Sequence, residues 1–226
     1  MSTKRWFVLA GVLAMSGVAH ADTWNLFYDA TISPTGPGGN PVVVRMKSDS
    51  ASMPATPYGY IRYVPSTPFL FQDLNTLSAD FNWLQGSYHG GSPRFDIGLD
   101  WDSSGTWNGS IDKLVYVYWG TPPNFTDDPA DPSGWQNTGN FMTDAATRFQ
   151  GPGGWVLYSP ADAKTQWGNY TVLRAYVSLD AGWGGAQWMD VDMVNINGAV
   201  YDAVPEPAGL AVLGVGAVTL LRRRRA

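Results

Sequence analysis

The 226-residue chain contains no cysteine, and its single glutamate, Glu206, stands close to the C-terminus. Without thiols, neither disulfides nor thiolate catalysis nor thiolate metal ligation is available. Histidine is almost as scarce. His20 and His89 are the only two, too few for a multi-histidine zinc or copper site. A Ser-His-Asp triad in the body of the chain would have to use His89, which stands in a glycine-rich stretch, and no Gly-x-Ser-x-Gly elbow occurs. The lack of glutamate means that paired carboxylates for glycoside hydrolysis would both have to be aspartates. Asp96 and Asp100, four residues apart on one predicted strand, would stand about 13 Å apart, too far for such a pair. Helical periodicity is missing as well, since no stretch keeps an amphipathic period over three turns.

What remains is rich in strand formers and turn formers. Gly (26) and Pro (16) punctuate the chain, and ten of its 11 tryptophans lie in the body between residues 22 and 203. Alternating apolar and polar residues predict strands over 24–32, 42–46, 58–64, 77–84, 94–101, 111–119, 171–180 and 187–197. The three from 77 to 119 read as a meander at the centre of one sheet. Shorter strand pieces are expected near 139–142 and 155–158, with helical turns near 144–149 and 162–167. Eight to ten strands without an internal repeat predict an all-β, two-sheet, jelly-roll-like β-sandwich.

Both ends of the chain differ from this body. Lys4 and Arg5 precede an apolar stretch and then Ala19-His20-Ala21, the pattern of a secretory signal peptide over residues 1–21, cleaved before Asp22 by signal peptidase. At the other end, Pro205-Glu206-Pro207 is followed by an apolar run and by Arg222, Arg223, Arg224 and Arg225. The run of about 14 residues would form a short hydrophobic helix spanning roughly 21 Å, less than the ~30 Å hydrocarbon core. Arginines that snorkel would close that gap and hold the C-terminus on the cytoplasmic side. An ordinary tail anchor is the competing physical reading. The ordered Pro-Glu-Pro, apolar run and arginine cluster over 204–226 also resembles the PEP-CTERM sorting tail of exported bacterial proteins. That resemblance implies recognition by an exosortase-like membrane protease, cleavage near Pro205-Glu206-Pro207, transient membrane anchoring of the precursor, and delivery to the cell surface or extracellular matrix.

The domain between these signals, residues 22–203, is about 180 residues, enough for one core without covalent staples. It sets eight basic residues against 18 aspartates, a net charge of −10 compared with −5 for the whole chain. Such an acidic surface makes nucleic acid and anionic lipid poor partners and suits divalent cations. Asp100, Asp102 and Ser104, followed by Gly105, resemble the first half of a calcium loop. Ile111 takes the twelfth position, where a bidentate glutamate belongs, so a plain hairpin turn is the competing reading. No other cofactor is indicated.

Tryptophans in or beside predicted loops offer flat apolar faces to the C–H faces of sugars. Trp101, Trp107, Trp119, Trp135, Trp167 and Trp183 are the candidates for glycan binding. Trp24, Trp83 and Trp188 are expected to fill the core. The segments SADFNW, GSPRFDIGLD, VYVYWG, GWQNTGNF and VDMVNING, spread over about residues 77–198, resemble exported bacterial domains whose folds are like jelly-roll carbohydrate-binding modules. The expectation is a non-catalytic protein of an exopolysaccharide or biofilm matrix that binds polysaccharide. A structural matrix protein without a ligand, or an aspartate-dependent glycan-processing enzyme, are the alternatives.

Overall fold

The computed structural model describes residues 22–34, 42–49, 58–86, 92–119, 134–180 and 186–203. The expected signal peptide with Ala19 and Ala21, the sorting tail with its Pro-Glu-Pro and arginine cluster, His89 and Trp183 all lie outside the described residues. Among the described residues strands make up 54% and helix 8%, and two antiparallel sheets pack face to face as the alternation predicts. The fold is an all-β sandwich.

In chain order the strands are β1 (Thr23–Tyr28), β2 (Ala30–Ser33), β3 (Val43–Ser48), β4 (Tyr58–Val64), β5 (Phe69–Leu70), β6 (Leu77–Gln85), β7 (Arg94–Asp100), β8 (Lys113–Tyr118), β9 (Gln136–Asn137), β10 (Phe149–Gln150) and β11 (Leu157–Tyr158). Helix α1 (Pro160–Trp167) then precedes β12 (Thr171–Asp180), β13 (Gln187–Ile196) and β14 (Ala199–Tyr201). The larger sheet runs β1-β4-β12-β7-β8-β10-β11, with β5 also paired to β12; the smaller runs β2-β3-β13-β6-β9, with β14 on β13.

Two departures from the sequence expectation matter. Residues 24–32 do not form one strand. Tyr28 adopts φ 54°, a left-handed conformation that is an outlier for a bulky residue, and the chain turns at Asp29 so that β1 joins the larger sheet and β2 the smaller. Nor do the three strands from 77 to 119 make one meander, because β6 lies in the smaller sheet while β7 and β8 pair in the larger. Period-two alternation buries one face of a strand whichever sheet it joins, so it carries no information about that choice. Among the short pieces, the strand expected near 139–142 lies slightly earlier, as β9. The expected turn near 162–167 is a full helix, opened by Ser159, whose hydroxyl accepts the Asp162 N–H at 3.2 Å, and by Pro160 in the first turn.

The core lies between the sheets. Ile61, Phe95, Ile97, Val115, Val117, Ala175 and Val177 face it from the larger sheet and Met46, Leu77, Phe81, Met189, Val191 and Ile196 from the smaller, all buried. Trp83 is buried as expected, while Trp24 is only half-buried and packs at the margin of the core. Trp188 is a correction: it is 37% exposed. Inward Met189 and Val191 set the phase of β13, so Trp188 must point outward, where the Lys47 ammonium lies 4.4 Å from its ring centre. After Asp192 the register with β6 slips, and Met193, at φ 47°, is pushed to the surface by the bulge.

Candidate functional site

The phase that buries Ile61, Phe95, Ile97 and Val177 turns their neighbours to the outer face of the larger sheet. There Tyr58, Tyr60 and Arg62 of β4 stand beside Arg174, Tyr176, Ser178 and Asp180 of β12. Beyond them lie Arg94, Asp96 and Gly98 of β7, then Leu114, Tyr116 and Tyr118 of β8. The register fixes the rows. Tyr176 lies opposite Arg62 on one side and Asp96 on the other, Ser178 opposite Tyr60 and Arg94, and Asp96 opposite Tyr116. Antiparallel partners stand about 5 Å apart, so the rows form a continuous aromatic and polar surface.

At its centre is a desolvated ion pair. Arg94 Nε donates to Asp96 Oδ1 at 2.7 Å and Arg94 Nη2 to Asp180 Oδ2 at 3.3 Å. Ser178 Oγ donates to the other Asp96 oxygen at 2.5 Å. Burial pushes the Asp96 carboxyl up, against the opposing pull of Arg94 and Ser178. Burial alone would lower Arg94, but the charges of Asp96 and Asp180 outweigh it and hold the guanidinium protonated. Around this pair a groove of about 400 Å³ is lined by Tyr58, Tyr60, Tyr176, Leu114 and the ionic residues. Phe27 stacks on Tyr60 at 4.8 Å, and Tyr28 meets Tyr58 edge-on at 4.8 Å. The left-handed backbone at Tyr28 breaks the strict alternation that would send consecutive side chains to opposite faces, so both rings reach this cluster.

The segment between β7 and β8 extends the groove. Its two buried aspartates hold the turn: Asp100 accepts the Ser104 and Gly105 N–H groups at 3.0 and 2.8 Å, and Asp112 accepts those of Trp101 and Asn108 at 2.8 and 2.6 Å. The turn thereby lays Trp107 over Gly98, where the Arg174 guanidinium sits 4.4 Å from the indole centre. A Cβ on Gly98 would meet the Trp107 ring at 2.6 Å and Arg174 Cγ at 2.7 Å, so only glycine lets both pack on the sheet. A second groove of about 320 Å³ lies between Trp107, Leu114, Tyr116 and the Gly151–Gly154 turn, and a third of about 290 Å³ lies across that turn beside Trp101 and Trp167. The first two share Leu114, and the last two share the turn. Together they make one track along the face and round its end.

The predicted tryptophans separate on this track. Trp107 is half-buried in the second groove. Trp101 is 37% exposed and stacks on Tyr170, with centroids 4.4 Å apart and planes 2° from parallel. β7 ends at Asp100 and the chain bends there, so Trp101 leaves the inward phase of Phe95, Ile97 and Leu99. Trp119 is a correction: it continues the inward phase of Val115 and Val117, and it packs on Phe81 and Phe95 in the core. Trp167 is 4% exposed, its ring turned into the domain against Phe71 and Tyr158, so only its edge reaches the third groove. Trp135 is half-buried beside β9 and lines none of these three grooves. Trp155, 81% exposed, was not singled out by the sequence reading although it directly follows the Gly151–Gly154 turn. The groove tyrosines were also missed. Their signal was present, as Tyr58, Tyr60 and Tyr176 occupy the polar phase of their strands, where a strand facing only water has no need of rings.

The calcium candidates fare differently. Carboxylate oxygens of Asp100, Asp102 and Asp112 lie within 4.8 Å of one another. Ser104 Oγ instead donates to the Thr106 carbonyl at 3.0 Å. Carboxylate oxygens are the donor type calcium takes, but three of them are about half of its usual six to eight ligands. The four backbone N–H bonds already account for Asp100 and Asp112 as the clamps of a hairpin. For hydrolysis, Asp96 and Asp100 do not pair, since one belongs to the groove and the other to the turn.

Among the described residues, no helix is long and apolar enough to cross a membrane. Compared with known proteins, the chain matches no family model, and no curated protein matches it.

Proposed function

We propose that this is an exported, non-catalytic glycan-binding protein of the cell surface or extracellular matrix. The observation that carries the reading is the continuous track on the larger sheet, where tyrosine and tryptophan rings alternate with hydrogen-bonding side chains. Rings supply flat apolar contact to sugar C–H faces, while Asp180, Ser178 and the tyrosine hydroxyls supply polar contacts to sugar hydroxyls. An open track suits a chain polymer better than a small molecule. The binding residues in this reading are Tyr60, Tyr176, Trp107 and Trp101. The loop tryptophans Trp119 and Trp167 serve the core.

Asp96 argues against the enzymatic alternative. A general acid must present its proton to a leaving group, whereas both oxygens of Asp96 are engaged by Arg94 and Ser178. Calcium is not needed for the reading, because the turn that places Trp107 closes on backbone N–H groups. Sorting rests on the tail's resemblance: signal peptidase and an exosortase-like protease process the precursor, and the mature domain is left at the surface or in the matrix.

Glycan-array binding by the full-length protein and by the Tyr60→Ala, Tyr176→Ala double variant tests the function. Binding that disappears in the double variant supports it; a protein that captures no polysaccharide is instead a structural matrix component. Intact-mass analysis of the mature form tests sorting, since retention of Arg222 to Arg225 contradicts cleavage.

A further inference from the structure

Three of the domain's eight basic residues, Arg62, Arg94 and Arg174, stand on the outer face of the larger sheet. Arg94 is spent on Asp96 and Asp180. The other two meet no carboxylate among the described residues. Arg62 lies over Phe27, its guanidinium carbon 4.3 Å from the ring centre, and its Nε is buried without a hydrogen-bond partner. Arg174 lies on Trp107 at 4.4 Å and donates from Nη1 to the Tyr176 hydroxyl at 3.0 Å, and its Nε too is buried without a partner. In a domain of net charge −10, two guanidinium groups held on rings and paired with none of the described aspartates need a different explanation from solvation. Their placement is specific. Arg62 is the direct cross-strand neighbour of Tyr176 and Arg174 lies two residues from it along β12, so the two cations flank one groove tyrosine.

We infer that the track selects a polysaccharide bearing anionic groups, with Arg62 and Arg174 binding the oxyanion of a residue that stacks beside Tyr176. This rests on the glycan-binding reading above and specifies its ligand. Contact with the Phe27 and Trp107 rings holds each guanidinium in place while leaving donors for an oxyanion, and a held guanidinium is suited to recognising carboxylate or sulfate. The domain's negative charge does not forbid this. At about 0.1 M salt, charges beyond roughly 10 Å are screened. Within that range the groove's Asp96 and Asp180 share Arg94, and Asp112 at the rim of the second groove is held by backbone N–H groups. The overall acidity instead suppresses loose adsorption of anionic polymers, so only a chain that engages both arginines is retained.

The test is calorimetric binding of the full-length protein to polygalacturonate and to the same polymer with its carboxyl groups reduced to alcohols. Dextran sulfate and dextran form a second pair that distinguishes sulfate from carboxylate. Tighter binding of one acidic polymer than of its neutral counterpart, by tenfold or more, is expected. Arg62→Gln and Arg174→Gln should each shrink that ratio several-fold, while Arg62→Lys, which keeps the charge, retains more of it. Circular dichroism of each variant shows whether the sandwich is intact, and the lysine variant carries the comparison if a glutamine variant is not. Equal binding of acidic and neutral polymers overturns the selectivity and leaves the glycan reading standing. Binding of none of the four overturns both.

Discussion

The two outer faces of the sandwich use the same residue types to opposite ends. On the smaller sheet, Arg45 and Asp190 close a two-bond pair at 2.8 and 2.9 Å, Asn137 donates to Asp80 at 2.5 Å, and Lys47 covers Trp188. Each of these three contacts joins direct cross-strand neighbours and is closed on itself. On the larger sheet the pairing is incomplete: one guanidinium serves two carboxylates, two further arginines rest on rings, and tyrosines line a groove. Satisfied pairing makes a face inert; interrupted pairing leaves donors and rings for something else.

The sharpest way to break the comparison is to remove Arg94. Arg94→Met leaves Asp96 buried without its counter-ion, and should cost about 3–5 kcal/mol in urea unfolding. Arg45→Met on the smaller sheet should cost less, about 1.5–3 kcal/mol, because the Arg45 side chain is 27% exposed compared with 16% for Arg94. Equal losses would mean that the two pairs are equally desolvated. Gly98→Ala forces Trp107 and Arg174 off the sheet. Overpacking of about 1–3 kcal/mol is expected, with glycan binding falling further than stability; unchanged binding would remove Trp107 from the site.

A smaller effect appears on alkalinisation. Burial pushes Tyr118 on the outer phase of β8 up to about 12, and burial followed by the nearby Asp22 carboxylate does the same for Tyr63 beneath the sheet. The unfolded phenol titrates near 10. Between those values the native state holds protons that the unfolded state has released, so stability is full below about pH 10 and falls as pH rises towards 12. Absorbance at about 295 nm should show these tyrosines ionising after the exposed ones; a single transition near 10 would refute it. Trp155→Ala, at an 81% exposed position, should change stability by no more than about 0.5 kcal/mol, so any larger loss of binding reports a contact to ligand.

Much of the fold was legible because alternation is local. β4, β7, β8, β12 and β13 could be read from their own residues, and the inward set Phe95, Ile97 and Leu99 followed directly. Sheet membership was not legible, because crossings depend on backbone events such as the left-handed Tyr28. The groove was hidden for a similar reason. Tyr60, Arg94 and Ser178 are each visible, but their adjacency comes from β12 lying between β4 and β7, and Arg94 meets Asp180 across 86 positions of sequence. Trp119 misled because its loop-side position concealed that it keeps the phase of β8. Asp112 escaped attention because a calcium-loop template seeks its last acid one residue earlier, at Ile111.

Trp24, near the start of the domain, packs on Tyr201, near its end, with ring centroids 5.3 Å apart, and on Tyr63 at 4.7 Å. The two rings belong to different sheets, β1 of the larger and β14 of the smaller. The sandwich is therefore buckled shut where its chain enters and leaves. A mechanical load drawing those two ends apart falls first on this aromatic buckle and the three-residue β14, and only afterwards on β13, which is anchored between β3 and β6.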